Sequence, residues 1–125
     1  MQEIHPDGGP RAGGAYVPGI RAGGLVFVSG QGPFHPASGA LAATDIEGQV
    51  RATLANVERV LVAAGASLQD VVRVDAFLAD LADFADYDRV FRDVFGRHFP
   101  TRTTVQAGLD DIRVEINAIA VVEED

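Results

Sequence analysis

Two charged residues near the carboxyl end of the chain are of the types that a small enzyme site needs. Arg102 lies in the run FPTRTTV, residues 99–105, whose β-branched residues indicate a strand. Glu115 lies in a second such run, residues 112–118, on the strand face opposite its apolar residues. A guanidinium offers a planar fork of donors that matches a carboxylate, and a carboxylate can handle a proton or a water. The pair therefore indicates either a site for a small acid or a structural Arg102–Glu115 ion pair.

The other reactive residue types give weaker indications. His5 and His35 lie beside prolines in predicted loops, His98 lies in a connection, and the three show no metal-ligand spacing. Ser29 follows an apolar run, but its surroundings do not match the nucleophile elbow G-x-S-x-G. The acidic stretch from residue 80 to residue 88 is most simply the start and solvent face of a helix.

Composition limits the class of protein. The 125 residues are 47% hydrophobic and 22% charged, as expected for one globular domain over residues 1–125. The net charge of −8 disfavours nucleic-acid partners and anionic membrane surfaces. The chain shows neither an apolar run of the ~20 residues that span a bilayer nor a secretory signal pattern. With no cysteine as well, we expect a cytoplasmic protein.

The hydrophobic pattern predicts five strands and two helices. Residues 1–13 are predicted to be a flexible, Gly/Pro-rich lead-in. Thr44 and Glu47 form a predicted capping box that starts a helix ending at Gly65. The second helix is predicted to start at Asp83 and to end at Gly96. The predicted strands cover about 16–20, 25–29, 71–78, 101–107 and 112–122, with Val72, Val74, Ala76 and Leu78 of the third on one face.

Two predicted strand segments are apolar on both sides. These are residues 25–28 and 119–122. Two helices of this length cover only one face of a sheet, and strands that are apolar on both sides are buried on both sides. The pattern therefore predicts an oligomer in which another subunit covers the second face.

Four segments resemble the RidA (YjgF-type) family of enamine/imine deaminases. They are GAYVPG at 14–19, LVFVSGQ at 25–31, FPTRTTV at 99–105 and VEINAIA at 114–120. Asn56 and the segment 80–84 also fit, so the resemblance covers about residues 14–122. It implies an α/β (α+β) fold of the chorismate-mutase type, with a mixed six-stranded sheet and two helices on one face. It also implies a homotrimeric barrel, with the sites in clefts between subunits.

The resemblance implies a reaction and roles for particular residues. Members deaminate reactive 2-imino acids or enamines, by-products of pyridoxal-phosphate enzymes, to 2-keto acids and ammonia. They use neither a metal nor an organic cofactor. Arg102 matches the arginine that clamps the substrate carboxylate, and Glu115 matches the glutamate that positions the attacking water. The remaining substrate-binding positions are Tyr16, Ser29, Gly30 and Thr104.

Three departures from the family pattern keep other functions open. Pro18, Gly32 and Asn117 replace a glutamine, a large aliphatic residue and a glutamate, and Gly32 is expected to widen the cleft. One alternative is a trimer that binds small carboxylates without turnover. Another is ribonuclease activity, sometimes attributed to this family, which the net charge of −8 disfavours.

Overall fold

A mixed sheet of six strands is the framework of the chain in the computed structural model, which describes residues 1–7 and 12–123. The strands are β1 (Gln2–Ile4), β2 (Gly19–Ala22), β3 (Leu25–Gln31), β4 (Val71–Leu78), β5 (Thr101–Gln106) and β6 (Val114–Val121). The helices are α1 (Ile46–Ala63) and α2 (Phe84–Phe95). The strand order is β1-β2-β3-β6-β4-β5, and only β4 and β5 pair in parallel. α2 makes the crossover that a parallel pair requires.

The amino-terminal residues form a strand inside the predicted lead-in. β1 pairs antiparallel with β2, and Ile4 is only 3% exposed. One apolar side chain in three residues is too short a pattern to predict a strand, but its burial and the pairing with β2 stabilise it. Residues 8–11 of the predicted lead-in lie outside the described residues.

The first helix begins one residue later than predicted. The N-cap is Asp45 rather than Thr44, and the Asp45 carboxylate accepts a hydrogen bond from the Gly48 amide at 3.2 Å. Both residue types are good caps, so the sequence alone does not distinguish them. Gly65 follows the helix with a φ of +81°, which favours glycine, so the predicted stop is confirmed.

The second helix buries a row of aromatic rings. Tyr87, Phe91 and Phe95 are buried, and their ring centroids are 5.9 Å and 4.4 Å apart along the row. The helix begins at Phe84, after a 3₁₀ turn over Leu81–Asp83, so the predicted start at Asp83 was one residue early. Gly96, with a φ of +69°, follows the last residue as predicted.

Both helices pack on one face of the sheet. That face carries the buried residues of β3, β4 and β6. On the other face Leu25, Phe27 and Val121 are 40%, 41% and 46% exposed. The prediction of a mixed six-stranded sheet with two helices is therefore confirmed, and the second face is uncovered in the single chain.

Local irregularities account for most differences from the predicted strands. Val72 is 41% exposed, not on the buried face with Val74, because the β4–β6 register shifts between Val71 and Arg73. β2 begins at Gly19 rather than Tyr16. β3 runs on to Gln31 after a register shift against β6, and the last two strands end within two residues of prediction. Among the described residues, no helix is long and apolar enough to cross a membrane.

Candidate active site

Arg102 lies on the edge strand β5 and points toward α2. Its register partner in β4 is Val74, which is fully buried on the helix face. The guanidinium carbon lies 4.7 Å from the ring centroid of Phe91, 5.0 Å from that of Tyr87 and 5.5 Å from that of Phe84. Aromatic faces attract a cation, so the rings fix the guanidinium without neutralising its charge.

The ionic partner of Arg102 is Asp88, on α2. Arg102 Nη2 lies 2.9 Å from Asp88 Oδ1, and Arg92 Nη2 lies 3.3 Å from Asp88 Oδ2. Partial burial alone would raise the pKa of the Asp88 carboxyl. The hydrogen bond and charge of Arg102, aided by Arg92, outweigh it and hold the pKa below its usual value.

A cavity of about 310 Å³ opens beside this pair. It is lined by Asp88, Phe91, Arg92, Phe99, Pro100 and Arg102. Its volume suits a ligand of small-molecule size, and its walls combine aromatic faces with charged groups. We name it the arginine cavity.

Thr104 lies on the same strand face as Arg102 but uses its hydroxyl internally. Its Oγ1 is 2.8 Å from the hydroxyl of Tyr87, a fully buried residue. Burial raises the pKa of Tyr87, with the hydrogen bond to Thr104 and the charge of Arg102 acting against it. Thr104 thus holds the ring on which the guanidinium of Arg102 rests.

Glu115 lies on the opposite face of the sheet, in a second cavity of about 220 Å³. Its register partner in β4 is Phe77, and its neighbours Val114 and Ile116 point into the core. Tyr16 and Gly30 line the cavity with it, as do Ala12, Gly13, Pro18, Gln31, Gly32, Phe34 and Ile112. We name it the glutamate cavity.

Gly30 lies directly against the Glu115 carboxylate. A Cβ at residue 30 would lie 2.9 Å from Glu115 Oε2. The residue lies in the register shift of β3 against β6, between Val28 and Gln31. Absence of a side chain there lets the strand pass directly against the carboxylate.

Ser29 and Asn56 position the walls of the glutamate cavity. Ser29 Oγ donates to the Val17 carbonyl at 2.7 Å, which ties the segment after Tyr16 to β3. Asn56, 1% exposed on α1, donates from Nδ2 to the carbonyls of Gly32 and Phe34, each at 2.9 Å. No role was predicted for Asn56, because the two carbonyls that accept from it lie more than 20 residues away along the chain.

The ring of Phe34 lies beside Gly32. A Cβ at this position would lie 2.7 Å from the Phe34 ring, so that ring occupies the space a larger residue would fill. The widening of the cleft at Gly32 stays a prediction.

The six predicted site residues therefore form two separate groups. Arg102 lines the arginine cavity, and Thr104 lies behind it, outside the lining, where it contacts Tyr87. Tyr16, Gly30 and Glu115 line the glutamate cavity, with Ser29 behind them. Since Arg102 pairs with Asp88 and faces away from Glu115, the alternative of an Arg102–Glu115 ion pair within one chain is wrong.

Asp88, Phe91, Arg92 and Phe99 of the arginine cavity were not predicted as site residues. The sequence pattern predicts Asp88 on the solvent face of α2, whereas its side chain is 28% exposed and pairs with Arg102. The spacing of Asp88 and Arg92 by one helical turn was the one sequence signal for this cluster. Among residues 1–7 and 12–123, no three His, Asp or Glu side chains converge to hold a metal ion.

Comparison with known proteins identifies the class and then the family. E. coli TdcF, solved with bound serine, superposes with a TM-score of 0.93 at 38% identity, over 98% of this chain and 100% of that one. RidA from the Antarctic bacterium Psychrobacter sp. gives a TM-score of 0.93 at 34% identity, over 98% and 100% of the two chains. This is therefore a domain of the YjgF and RidA fold.

The sequence comparisons agree with the structural ones. The 2-iminobutanoate/2-iminopropanoate deaminase of Salmonella typhimurium is 38% identical over 123 residues, which are 94% of this chain and 95% of that protein. The family model described as endoribonuclease L-PSP matches residues 8–122. The chain belongs to this family, which includes the YjgF and RidA proteins. The predicted resemblance is confirmed.

Proposed function

We propose that this protein hydrolyses reactive 2-imino acids and enamines, such as 2-iminopropanoate and 2-aminoacrylate, to 2-keto acids and ammonia. The observation that carries the proposal is the guanidinium of Arg102, held on aromatic rings at the wall of a cavity of small-molecule size. The Salmonella relative, which is named for this substrate class, supports it.

Arg102 would bind the substrate carboxylate. A guanidinium carries five N–H donors, and Asp88 contacts one terminal nitrogen. Donors therefore remain for paired, charge-assisted hydrogen bonds to an acid in the arginine cavity. Such a clamp fixes the C=N carbon next to the carboxylate and gains the rate advantage of proximity.

Glu115 would orient the water and transfer the protons. The water oxygen bonds to the imine carbon while the C=N double bond becomes a C–N single bond whose nitrogen takes a proton. A second proton transfer to nitrogen breaks the C–N bond and releases ammonia, and the oxygen remains as the ketone. The sum is one imino acid plus one water giving one keto acid plus one ammonia. A carboxylate is a suitable base and relay for both transfers.

The active site would form between copies of the chain. Arg102 and Glu115 face opposite sides of a sheet, and packed layers lie ~10 Å from a sheet. A substrate of a few carbons cannot contact both within one subunit. We propose a homotrimer in which Arg102 of one subunit faces Glu115, Tyr16 and Gly30 of its neighbour. The exposed apolar side chains of Leu25, Phe27 and Val121 support burial of that sheet face between subunits.

We place this activity in the cytoplasm, where pyridoxal-phosphate enzymes release such imines. The absence of cysteine fits a reducing compartment. The alternative is a trimer that binds carboxylates without turnover, and its motive is that two departures from the family pattern, Pro18 and Gly32, line the glutamate cavity. Asn117, the third departure, pairs in register with Asp75 on the uncovered face.

The test generates 2-iminopropanoate in situ with an amino-acid oxidase and follows its loss with and without protein. We expect wild type to accelerate the loss and Arg102→Ala to reduce the acceleration about 100-fold or more, because two hydrogen bonds to a charged group are lost. Glu115→Gln should lower kcat more than it raises KM. Arg97→Ala, which removes an exposed arginine outside both cavities, is the matched control.

Each possible result has a definite meaning. No acceleration by wild type with several imino acids would refute the deaminase proposal. Binding of 2-keto acids that depends on Arg102, without turnover of any imine, would instead support the carboxylate-binding alternative. Salt-sensitive cleavage of RNA by rigorously purified protein would support ribonuclease activity, which the net charge of −8 disfavours.

A further inference from the structure

The arginine proposed to bind the substrate already has a carboxylate beside it. Asp88 lies 2.9 Å from Arg102 and lines the same cavity, and the two side chains are 28% and 22% exposed. An acid that binds Arg102 therefore places its neighbouring atoms against Asp88. Those atoms must suit an ionised carboxylate, which accepts hydrogen bonds and donates none.

The charges of the cavity suit one acid group. Arg92 and Arg102 contribute two positive charges and Asp88 one negative charge, so the lining carries a net charge of +1. One bound carboxylate balances it. A ketone oxygen next to Asp88 would be a second acceptor facing the carboxylate, with no proton between the two oxygens. An N–H group at the same place would donate a hydrogen bond to the carboxylate.

Asp88 has acceptor capacity left for such a donor. An ionised carboxylate offers about four lone-pair sites. Oδ1 contacts Arg102 and Oδ2 contacts Arg92, whose side chain is 66% exposed at the mouth of the cavity. A further N–H donor can therefore be accepted while both ion pairs remain.

We propose that Asp88 recognises the nitrogen of the substrate by accepting a hydrogen bond from the N–H on C2 of an acid whose carboxylate binds Arg102. The cavity then prefers 2-imino and 2-amino acids to 2-keto acids. This assignment rests on the proposed role of Arg102. Its consequence is selectivity for substrate over product, because a site built for an N–H donor rejects the analogue that lacks it.

The experiment compares two small acids that differ at C2. Dissociation constants for L-alanine, which carries an ammonium group, and for pyruvate, which carries a ketone, are measured by calorimetry on the full chain. The proteins are wild type, Asp88→Asn and the control Asp93→Asn. Asp93 lies on the same helix, pairs with Arg51 at 2.8 Å and does not line the arginine cavity, so its replacement removes the same charge elsewhere.

We expect wild type to prefer L-alanine. Asp88→Asn should shift the ratio of the two dissociation constants at least tenfold toward pyruvate, about 1.4 kcal/mol. The asparagine has lost the charge that attracts the nitrogen and has gained an N–H that can donate to the ketone oxygen. Asp93→Asn should leave the ratio unchanged.

An equal change for both acids in Asp88→Asn would overturn the assignment, because Asp88 would then merely compete with the ligand carboxylate. An unchanged ratio, or no binding of either acid to wild type, would overturn it as well. Failure of the proposed function can be distinguished from failure of the Asp88 assignment. If the proposed function fails, wild type does not accelerate imine loss, whatever the ratio of the two dissociation constants. Accelerated loss with an unchanged ratio refutes only the role of Asp88.

Discussion

Mixing two inactive variants should restore activity if the site is shared between subunits. Arg102→Ala removes the proposed carboxylate clamp, and Glu115→Gln removes the carboxylate proposed to position the water. The two side chains lie on opposite faces of the sheet, one in register with buried Val74 and the other with Phe77. Each variant alone then lacks a necessary group at every site of its oligomer.

The expected recovery can be worked from this geometry. In randomly mixed oligomers of equal parts, a site is intact when Arg102 comes from a Glu115→Gln subunit and Glu115 from an Arg102→Ala subunit. Each choice has a probability of one half, so about one quarter of the sites are intact, and activity should return to about one quarter of wild type. The fraction is the same for a dimer and a trimer.

The assay refolds the two variants together and measures imine loss per subunit. The control mixes wild type with the double variant, in which only sites made wholly from wild-type subunits remain intact. Distinct mass tags and native mass spectrometry establish that mixed oligomers form. Absence of recovery despite mixed oligomers would show that the site lies within one subunit, and the shared-site proposal would fall. Full activity of Glu115→Gln by itself would show that the site does not use Glu115.

Three further predictions test the packing and the charges. Val26 is fully buried, so Val26→Asp should unfold the subunit by burying an unpaired charge. Phe27 is 41% exposed on the uncovered face, so Phe27→Asp should give a folded monomer, measured by light scattering. A Phe27→Asp trimer would contradict this prediction. Asn56→Ala should lower the free energy of unfolding, measured in urea, by ~1–3 kcal/mol, since two carbonyls lose their donor. If the exposed-site control Glu58→Ala lowers it equally, the proposed role of Asn56 in holding these carbonyls is refuted. Because the pKa of Asp88 is lowered, its carboxylate stabilises the fold above pH 3.8, and this stabilisation is lost as the pH falls through the folded-state pKa. Asp88→Asn should therefore lose less stability than wild type below pH 3.8. Identical profiles of stability against pH would count against the Arg102–Asp88 pair.

The regular helices and strands were predictable because their apolar residues repeat over enough positions to define a helical or strand period. α1 repeats its apolar residues over 18 positions, β6 alternates over its eight residues, and β4 alternates from Val74 to Leu78. β1 has three residues and one buried side chain, so only its pairing with β2 reveals it. The exposure of Val72 was equally hidden, because the bulge beside it depends on the register with β6.

The site residues were predictable by type but not by partner. The face on which Arg102 lies depends on the register of β5 against β4, and that of Glu115 on the register of β6 against β4. A shift of either by one residue would reverse the side chain. No local pattern in the sequence encodes that register. For the same reason Asp88 was placed on the solvent face, although α2 packs so that this carboxylate meets Arg102.

The departures from the family pattern bear unequally on binding and on hydrolysis. Pro18 and Gly32 line the glutamate cavity, and neither touches the arginine cavity. Their effect would therefore fall on the water and its base, with the carboxylate clamp left intact. At Gly32 the ring of Phe34 fills the vacated space, and Asn56 holds both residues by their carbonyls. A cleft wall that is filled by the Phe34 ring and held from α1 by Asn56 retains the order that positioning a water requires. This packing favours turnover over simple capture.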